Sequence, residues 1–321
     1  RAVVSSKMIT HTSATEDYGP LAEMTVIHDH GCTQSKIALI DVDGILLNQG
    51  LTGFSSMGEN PVALFREKLD RVAADSCYEA VVLRVNSPGG SVTASDIMWR
   101  DLQSFQKKTG LPVVACLMDV GTGGAYYLST PADHIMAHPT SITGGVGVVL
   151  NIYSMEDTMI EMGIQGIPVK SGTHTDLGTP LEPMIEEGRE ILQKIADDFH
   201  TRFRSIVQQM RPGFDAANMD QLDGRVFTAD QALNLGLLDS IGYLDQAVEI
   251  ARQLGNCPAA RVVVLHRRND RARSPYDVTP NTPLQGNMMP LSIPGYDRSQ
   301  LPTFLYLWQP EPTYVRRAGG R

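Results

Sequence analysis

Four cysteines in 321 residues, none in a CxxC pair, give no basis for a thiolate metal cluster or a dense disulfide framework. Cys32, Cys77, Cys116 and Cys257 are widely scattered; one disulfide is possible, and their number fixes no compartment. Cys116 sits in an apolar run and is expected to be a core thiol. No stretch approaches the roughly 20 apolar residues that a membrane span needs. Walker, Rossmann and HExxH motifs are absent, and GTGGAY at 121–126 lacks the GxGxxG spacing and the later ribose acid of a dinucleotide loop. Positive charge is scarce as well: a net charge of -9 and a pI near 5.4 argue against nucleic-acid binding, which needs a basic surface to release counterions. No repeat of solenoid period occurs. HDHGC (His28 to Cys32) has metal-ligating residue types but no second ligand cluster, so neither a metal nor a cofactor is expected.

What is present is an ordinary globular composition, 42% hydrophobic and 20% charged, in a 35.0 kDa chain long enough for a large core with appendages. KIALIDVDGILL reads as a strand buried on both faces. Asn60 and Pro61 form a cap and first-turn pair, and Val62, Phe65, Leu69 and Val72 keep helical spacing to Asp75. AVVLRV is a second buried strand, so the pattern is βαβ. NSPGGSV then turns into a helix closed by Gly110, and PVVACL runs through DVGTGGAYYLSTPAD into a helix over about 125–130. Strand, glycine loop and helix therefore recur, which places both loops at the carboxyl edge of a parallel sheet, where open α/β folds bind ligands.

Further along, HIMA is a short strand, TSITGGVGVVLN a glycine-interrupted one, and Ser154 is expected to cap a short helix to Met162. IQGIPVK is expected to return to the sheet. A helix over about 183–210 carries the apolar stripe Leu192, Ile195, Phe199, Phe203, Ile206 and Met210, suited to the core and long enough to meet another subunit. DGRVFTADQALNLGLLDSIG gives a short strand, a helix capped by Thr228 and stopped at Gly236, and a last short strand before a final helix ending near Gly255. Residues 269–321 hold eight of the 19 prolines, and nine arginines face four acids from Arg261 onward. An extended arm is expected, with LPTFLYLWQPEP as an apolar island able to dock on a neighbouring subunit.

Taken in order, VLRVNSPGGSVTASD, GGAYYLSTPADHIMAHPTSITGGVGVV, VKSGTHTDLGTP and LDGRVFTADQALNLGLLDSIG resemble the signal peptide peptidase A (protease IV) family of serine peptidases. The resemblance covers about residues 36–255. It implies an α/β, ClpP/crotonase-like fold of repeated β-β-α and βαβ units with glycine loops at the sheet edge, plus the proline-rich C-terminal arm. The domains expected are an N-terminal extension (1–35), the peptidase-family domain (36–255) and the arm (256–321). It also implies homo-oligomers and a membrane-associated protein on the extracytoplasmic side. The chain opens on Arg1, and a signal or anchor segment ahead of it is expected to supply that association.

That family uses a serine–lysine dyad, the serine opening the glycine–aromatic helix and the lysine following a serine–glycine pair. Aligned on Tyr126 and Tyr127, the serine position falls on Gly123; aligned on Ser171, Gly172 and Asp176, the lysine position falls on Thr175. Glycine has no side chain to attack with and threonine cannot act as a base near neutral pH, so the resemblance implies a pseudopeptidase. Thr122 is a weak alternative nucleophile, with Lys170 and His174 as weak candidate bases. Amides at Gly89, Gly90 and Gly124 remain to receive a carbonyl, unless those glycines serve only turns and close packing. The backbone of TGGVGVV is able to add to an extended peptide strand. The expected ligands are signal-peptide-like hydrophobic segments, bound in an oligomer that includes active paralogues or copies of this chain. Two rivals remain: an active endopeptidase using Thr122, and an acyl-CoA-handling crotonase-type enzyme, for which no acid pair stands out.

Overall fold

The computed structural model describes residues 20–28, 34–48, 52–53, 56–57, 59–152, 154–164, 167–267, 274–275 and 304–308. In chain order the elements are β1 (Ala22–Ile27), β2 (Lys36–Leu46), a two-residue hairpin β3 (Thr52–Gly53) and β4 (Ser56–Met57), α1 (Pro61–Ala73), β5 (Tyr78–Ser91) and α2 (Val92–Thr109). There follow β6 (Val113–Thr122), α3 (Gly124–Ser129), β7 (His134–Ala137), β8 (Ile142–Gly144), α4 (Glu156–Glu161) and α5 (Glu186–Met210). A 3-10 turn (Ala216–Gln221), β9 (Val226–Thr228), α6 (Ala229–Asn234), β10 (Ser240–Ile241), α7 (Leu244–Leu254), β11 (Arg261–His266) and β12 (Leu305–Leu307) complete the described chain.

One sheet organises the molecule, in the order β1-β11-β2-β5-β6-β7-β10, and from β11 to β10 every neighbouring pair is parallel. The central strands are apolar without alternation because both faces are covered. Ala38, Ile40, Val81, Leu83 and Ala115 pack with α1, α2 and α3 on one face. Ile37, Leu39, Val82, Val114 and Cys116 pack with α7 on the other, where Cys116 is the expected buried thiol.

The capping chemistry sets the helix ends. The Asn60 side chain accepts from the amides of Val62 and Ala63, and Gly110 closes α2 in the left-handed conformation. Thr228 and Gln231 form a reciprocal capping box at the start of α6. This is the α/β arrangement expected, with the glycines at the end of β5 and those after β6 at one edge of the sheet; Pro88–Gly90, read from the sequence as a turn, instead continue β5 to Ser91, because β2 still pairs with Gly89 and Gly90 there.

Three further segments differ from the sequence reading. Ser154 does not cap α4, which begins at Glu156 after Met155; Glu156 and Asp157 in the first turn balance the helix dipole instead. The described part of IQGIPVK does not return to the sheet: Ile167 is 81% exposed and Val169 fully so. The sheet also runs past 36–255. β11, beyond the last helix, pairs in parallel with β2, and β1 adds antiparallel to β11 at the outer edge. The Cys32 end of HDHGC lies outside the described residues.

Candidate active site and peptide cleft

The carboxyl ends of β5 and β6 build the site. β6 accompanies β5 as far as the pairing of Ser87 with Gly121, then diverges, while β2 stays with β5 to the pairing of Leu46 with Gly90. One edge of Gly89–Ser91 is thus left without β6. β6 ends at Thr122 and the chain turns sharply at Gly123 into α3, with φ +53 and ψ -124. A positive φ of this kind is adopted without strain by glycine. Such a strand-to-helix turn presents one residue at the helix tip, the placement a nucleophile would need. Here that residue is Gly123, and no side chain stands there. Its own amide donates to the Gly144 carbonyl at 2.9 Å, and its carbonyl accepts from Tyr127 at 2.9 Å.

Thr122 lies one residue earlier. Its hydroxyl is fully buried and donates to the Pro88 carbonyl at 3.2 Å. Thr175 lies in the exposed loop between α4 and α5, where its hydroxyl donates back to the Gly172 carbonyl at 2.9 Å. Lys170 is held by Asp176 at 2.6 Å and Glu182 at 3.2 Å. The hydrogen bond to Asp176 above all raises its pKa, the opposite of what a general base requires. His174 approaches Glu187 at 3.6 Å.

The three candidate oxyanion glycines divide. The Gly89 amide donates to the Ser87 hydroxyl at 3.1 Å and is spent within the loop. A β-carbon at Gly90 would lie 1.9 Å from the Leu46 carbonyl oxygen, and one at Gly124 would lie 2.0 Å from Ser95 Oγ. Close packing of β5 on β2 and of α3 on α2 therefore requires glycine at both positions, whatever else their amides do.

The cleft between β5 and the 146–149 stretch is filled by the chain's own Phe304–Trp308. β12 runs antiparallel to β5, pairing Leu305 with Ser91, Tyr306 with Gly90 and Leu307 with Gly89. Val92 donates to the Phe304 carbonyl at 3.2 Å and Trp308 to the Pro88 carbonyl at 3.0 Å. On the opposite edge Leu305 and Val149 exchange two bonds of 3.0 Å. The backbone of TGGVGVV thus does add to an extended strand, and the apolar island of the arm supplies it, docking on its own chain.

Tyr306 is the buried residue of that strand, at 0% exposure. Its ring stacks on Tyr127 with centroids 5.3 Å apart, and Phe203 lies 4.7 Å away. Its hydroxyl donates to the Phe199 carbonyl at 2.8 Å, and burial pushes its pKa up, so it remains a neutral donor. Tyr127 donates in turn to Asp96 at 2.6 Å, and Arg202 holds the same carboxylate at 2.6 Å. Past Leu307 the cleft opens into a hollow of about 230 Å³ lined by Gly147, Val149, His200 and Asp223 among others. Neither the aromatic pocket nor the role of Val149 as a specific partner was legible in the sequence, because Tyr127, Phe199, Phe203 and Tyr306 come from three separate stretches with no shared motif. Among the described residues no group of histidine, cysteine and acidic side chains is arranged to hold a metal ion.

Comparison with known proteins agrees with this geometry. The model of peptidase family S49 matches residues 105–257. A candidate protease of Methanocaldococcus jannaschii is 32% identical over 67% of this chain and 68% of its own length. A candidate signal peptide peptidase of Enterococcus faecium is 26% identical over 73% of this chain and 68% of its own. Protease 4 of Haemophilus influenzae is 30% identical over 71% of this chain, which spans only 36% of that longer protein.

The tight approach of α3 to α2 is open to test. Gly124→Ala is expected to cost about 1–3 kcal/mol of unfolding free energy by overpacking against Ser95. In a Ser95→Ala background, which removes the 2.0 Å contact, the cost falls, so that denaturant titrations of the four proteins give non-additive effects. Additive losses would show that the contact is not what requires glycine.

Proposed function

The chain belongs to peptidase family S49, the signal peptide peptidase A group, and on that premise we propose that it is a member that has lost cleavage and retained the groove for extended hydrophobic peptides. The observation that carries this is Gly123: the helix tip that would hold the nucleophile ends in a residue with no side chain. Hydrolysis by the serine–lysine route needs a hydroxyl at that tip and an uncharged amine to take its proton. Thr175, at the lysine position, has a hydroxyl turned back on its own loop, and Lys170 is stabilised as a cation by Asp176. The reading in which Thr122 attacks is the weaker one, since that hydroxyl is buried and committed to the Pro88 carbonyl. No observation favours the acyl-CoA reading.

The groove supports binding because strand addition on two edges supplies main-chain hydrogen bonds that do not depend on a nucleophile. Binding in an oligomer is the second part of the proposal. Ile160, Met162, Ile167 and Val169 are 60%, 68%, 81% and 100% exposed, an apolar surface that contact with a further copy or an active paralogue would cover. Residence at a membrane, facing outside the cytoplasm, follows from the family resemblance alone; among the described residues no helix is long and apolar enough to cross a bilayer.

Cleavage is tested by incubating the purified chain with unfolded casein and a hydrophobic peptide library, beside Thr122→Ala and Gly123→Ser/Thr175→Lys variants. The wild type should release no fragments. Fragments that disappear in Thr122→Ala would replace this reading with the Thr122 peptidase. Light scattering should give a mass above one chain, falling with Ile167→Glu/Val169→Glu; a monomeric wild type would remove the oligomer from the proposal.

A further inference from the structure

Phe304–Trp308 is bound as a ligand would be. It is extended, it is hydrogen-bonded to β5 on one edge and to Val149 on the other, and one side chain, Tyr306, is swallowed completely. Antiparallel ladders alternate, so with 92/304 and 88/308 as hydrogen-bonded pairs the Gly90–Tyr306 pair between them is of the same kind. Tyr306 is therefore the residue whose carbonyl lies over the helix tip. A β-carbon at Gly123 would meet the Tyr306 carbonyl oxygen at 2.3 Å, its carbon at 2.7 Å and the Leu307 nitrogen at 3.1 Å. A β-carbon at Gly89 would meet the same oxygen at 2.0 Å. Those are backbone atoms of a strand fixed on both edges, and they have little room to yield. The absence of a side chain at Gly123 is thus a condition for the segment to lie where it does, as well as the loss of an attacking group.

We propose that Phe304–Trp308 is a built-in pseudosubstrate of the peptide cleft, seated by Tyr306 in the aromatic pocket and admitted by Gly123, and that the cleft's external ligand is an extended peptide with an aromatic side chain at the Tyr306 position. The inference rests on the peptide-binding reading above and adds the occupant and the selectivity. The selectivity follows from the pocket: the Tyr127 and Phe203 rings hold a flat side chain, and the Phe199 carbonyl accepts from a hydroxyl at its far end. An aliphatic side chain would forgo both that hydrogen bond and the ring stacking. Because the segment is tethered, its effective concentration at the cleft is on the order of millimolar, and a free peptide binds only in competition with it.

The test uses full-length protein and a fluorescent peptide of the chain's own residues 303–309, TFLYLWQ. Tyr306→Gly in the protein empties the pocket and should raise affinity for the peptide roughly tenfold or more over wild type, read by anisotropy; adding Gly123→Ser, which crowds the backbone of segment and peptide alike, should abolish that gain. A peptide with glycine in place of its tyrosine should lose that binding. Wild type binding as tightly as Tyr306→Gly would overturn the pseudosubstrate and leave the groove intact. A folded Tyr306→Gly variant that binds no peptide at all would overturn the peptide-binding reading with it. Equal binding of the glycine peptide would overturn the aromatic selectivity. Hydrogen exchange on the unaltered chain gives a readout that needs no variant: the amides of Val92, Val149, Leu305 and Trp308 should be protected, to the same degree after hundredfold dilution. Rapid exchange overturns the occupancy, and protection lost on dilution overturns its being intrachain.

Discussion

The last residues of β5 are the constraint on which the cleft depends. Gly89 and Gly90 must stay paired with β2 on one edge after β6 has left the other, and Gly90 allows this because any side chain there would collide with the Leu46 carbonyl. The freed edge is a row of unpaired main-chain groups, which either takes up a strand or is left to water. At the same place β6 turns through Gly123 into α3, so the helix tip faces whatever strand is taken up. Ser91 then caps α2 by accepting from Ala94, fixing the loop from its far end. A peptide groove and a helix tip aimed across it are thus two consequences of one divergence of strands.

The proposed loss of cutting and the occupation of the groove are coupled by the same geometry. In a serine–lysine peptidase the helix tip carries a side chain that a bound carbonyl must approach but not overlap. With glycine at 123 the backbone of β12 comes closer than any β-carbon would permit, within 2.3 Å of where one would sit. Once that strand is seated, its stability comes from burying Tyr306 among Tyr127 and Phe203 and from hydrogen bonds on two edges. None of these contributions draws on the dyad. A scaffold evolved to bind before it cuts is able to lose the second step and keep the first.

Much of this was readable from residues alone, and for physical reasons. Continuous apolar runs such as those of β2 and β5 announce strands covered on both faces, and Asn60–Pro61, Gly110 and Thr228 mark helix ends through local capping chemistry. The helix tip at Gly123 and the loop at Thr175 were located by ordered motifs, and the capacity of TGGVGVV to pair with a strand was read from its glycines. What was missed depends on tertiary partners. Val169 has strand character but stands fully exposed outside the sheet, and β11 joined the sheet from a stretch assigned to the arm. The docking of the apolar island was anticipated from its apolarity, yet the target of its described part, Phe304–Trp308, was the chain's own cleft, since apolarity says that a segment will be covered and not by what.

Reaction with a fluorophosphonate probe, followed by mass mapping of any adduct, tests the central claim most directly, because such probes mark hydroxyls that are activated for attack whatever the natural substrate. The account predicts no adduct on the wild type or on Tyr306→Gly, in which the cleft is open. An adduct on Thr122 in either protein would contradict it and show that the groove still cuts.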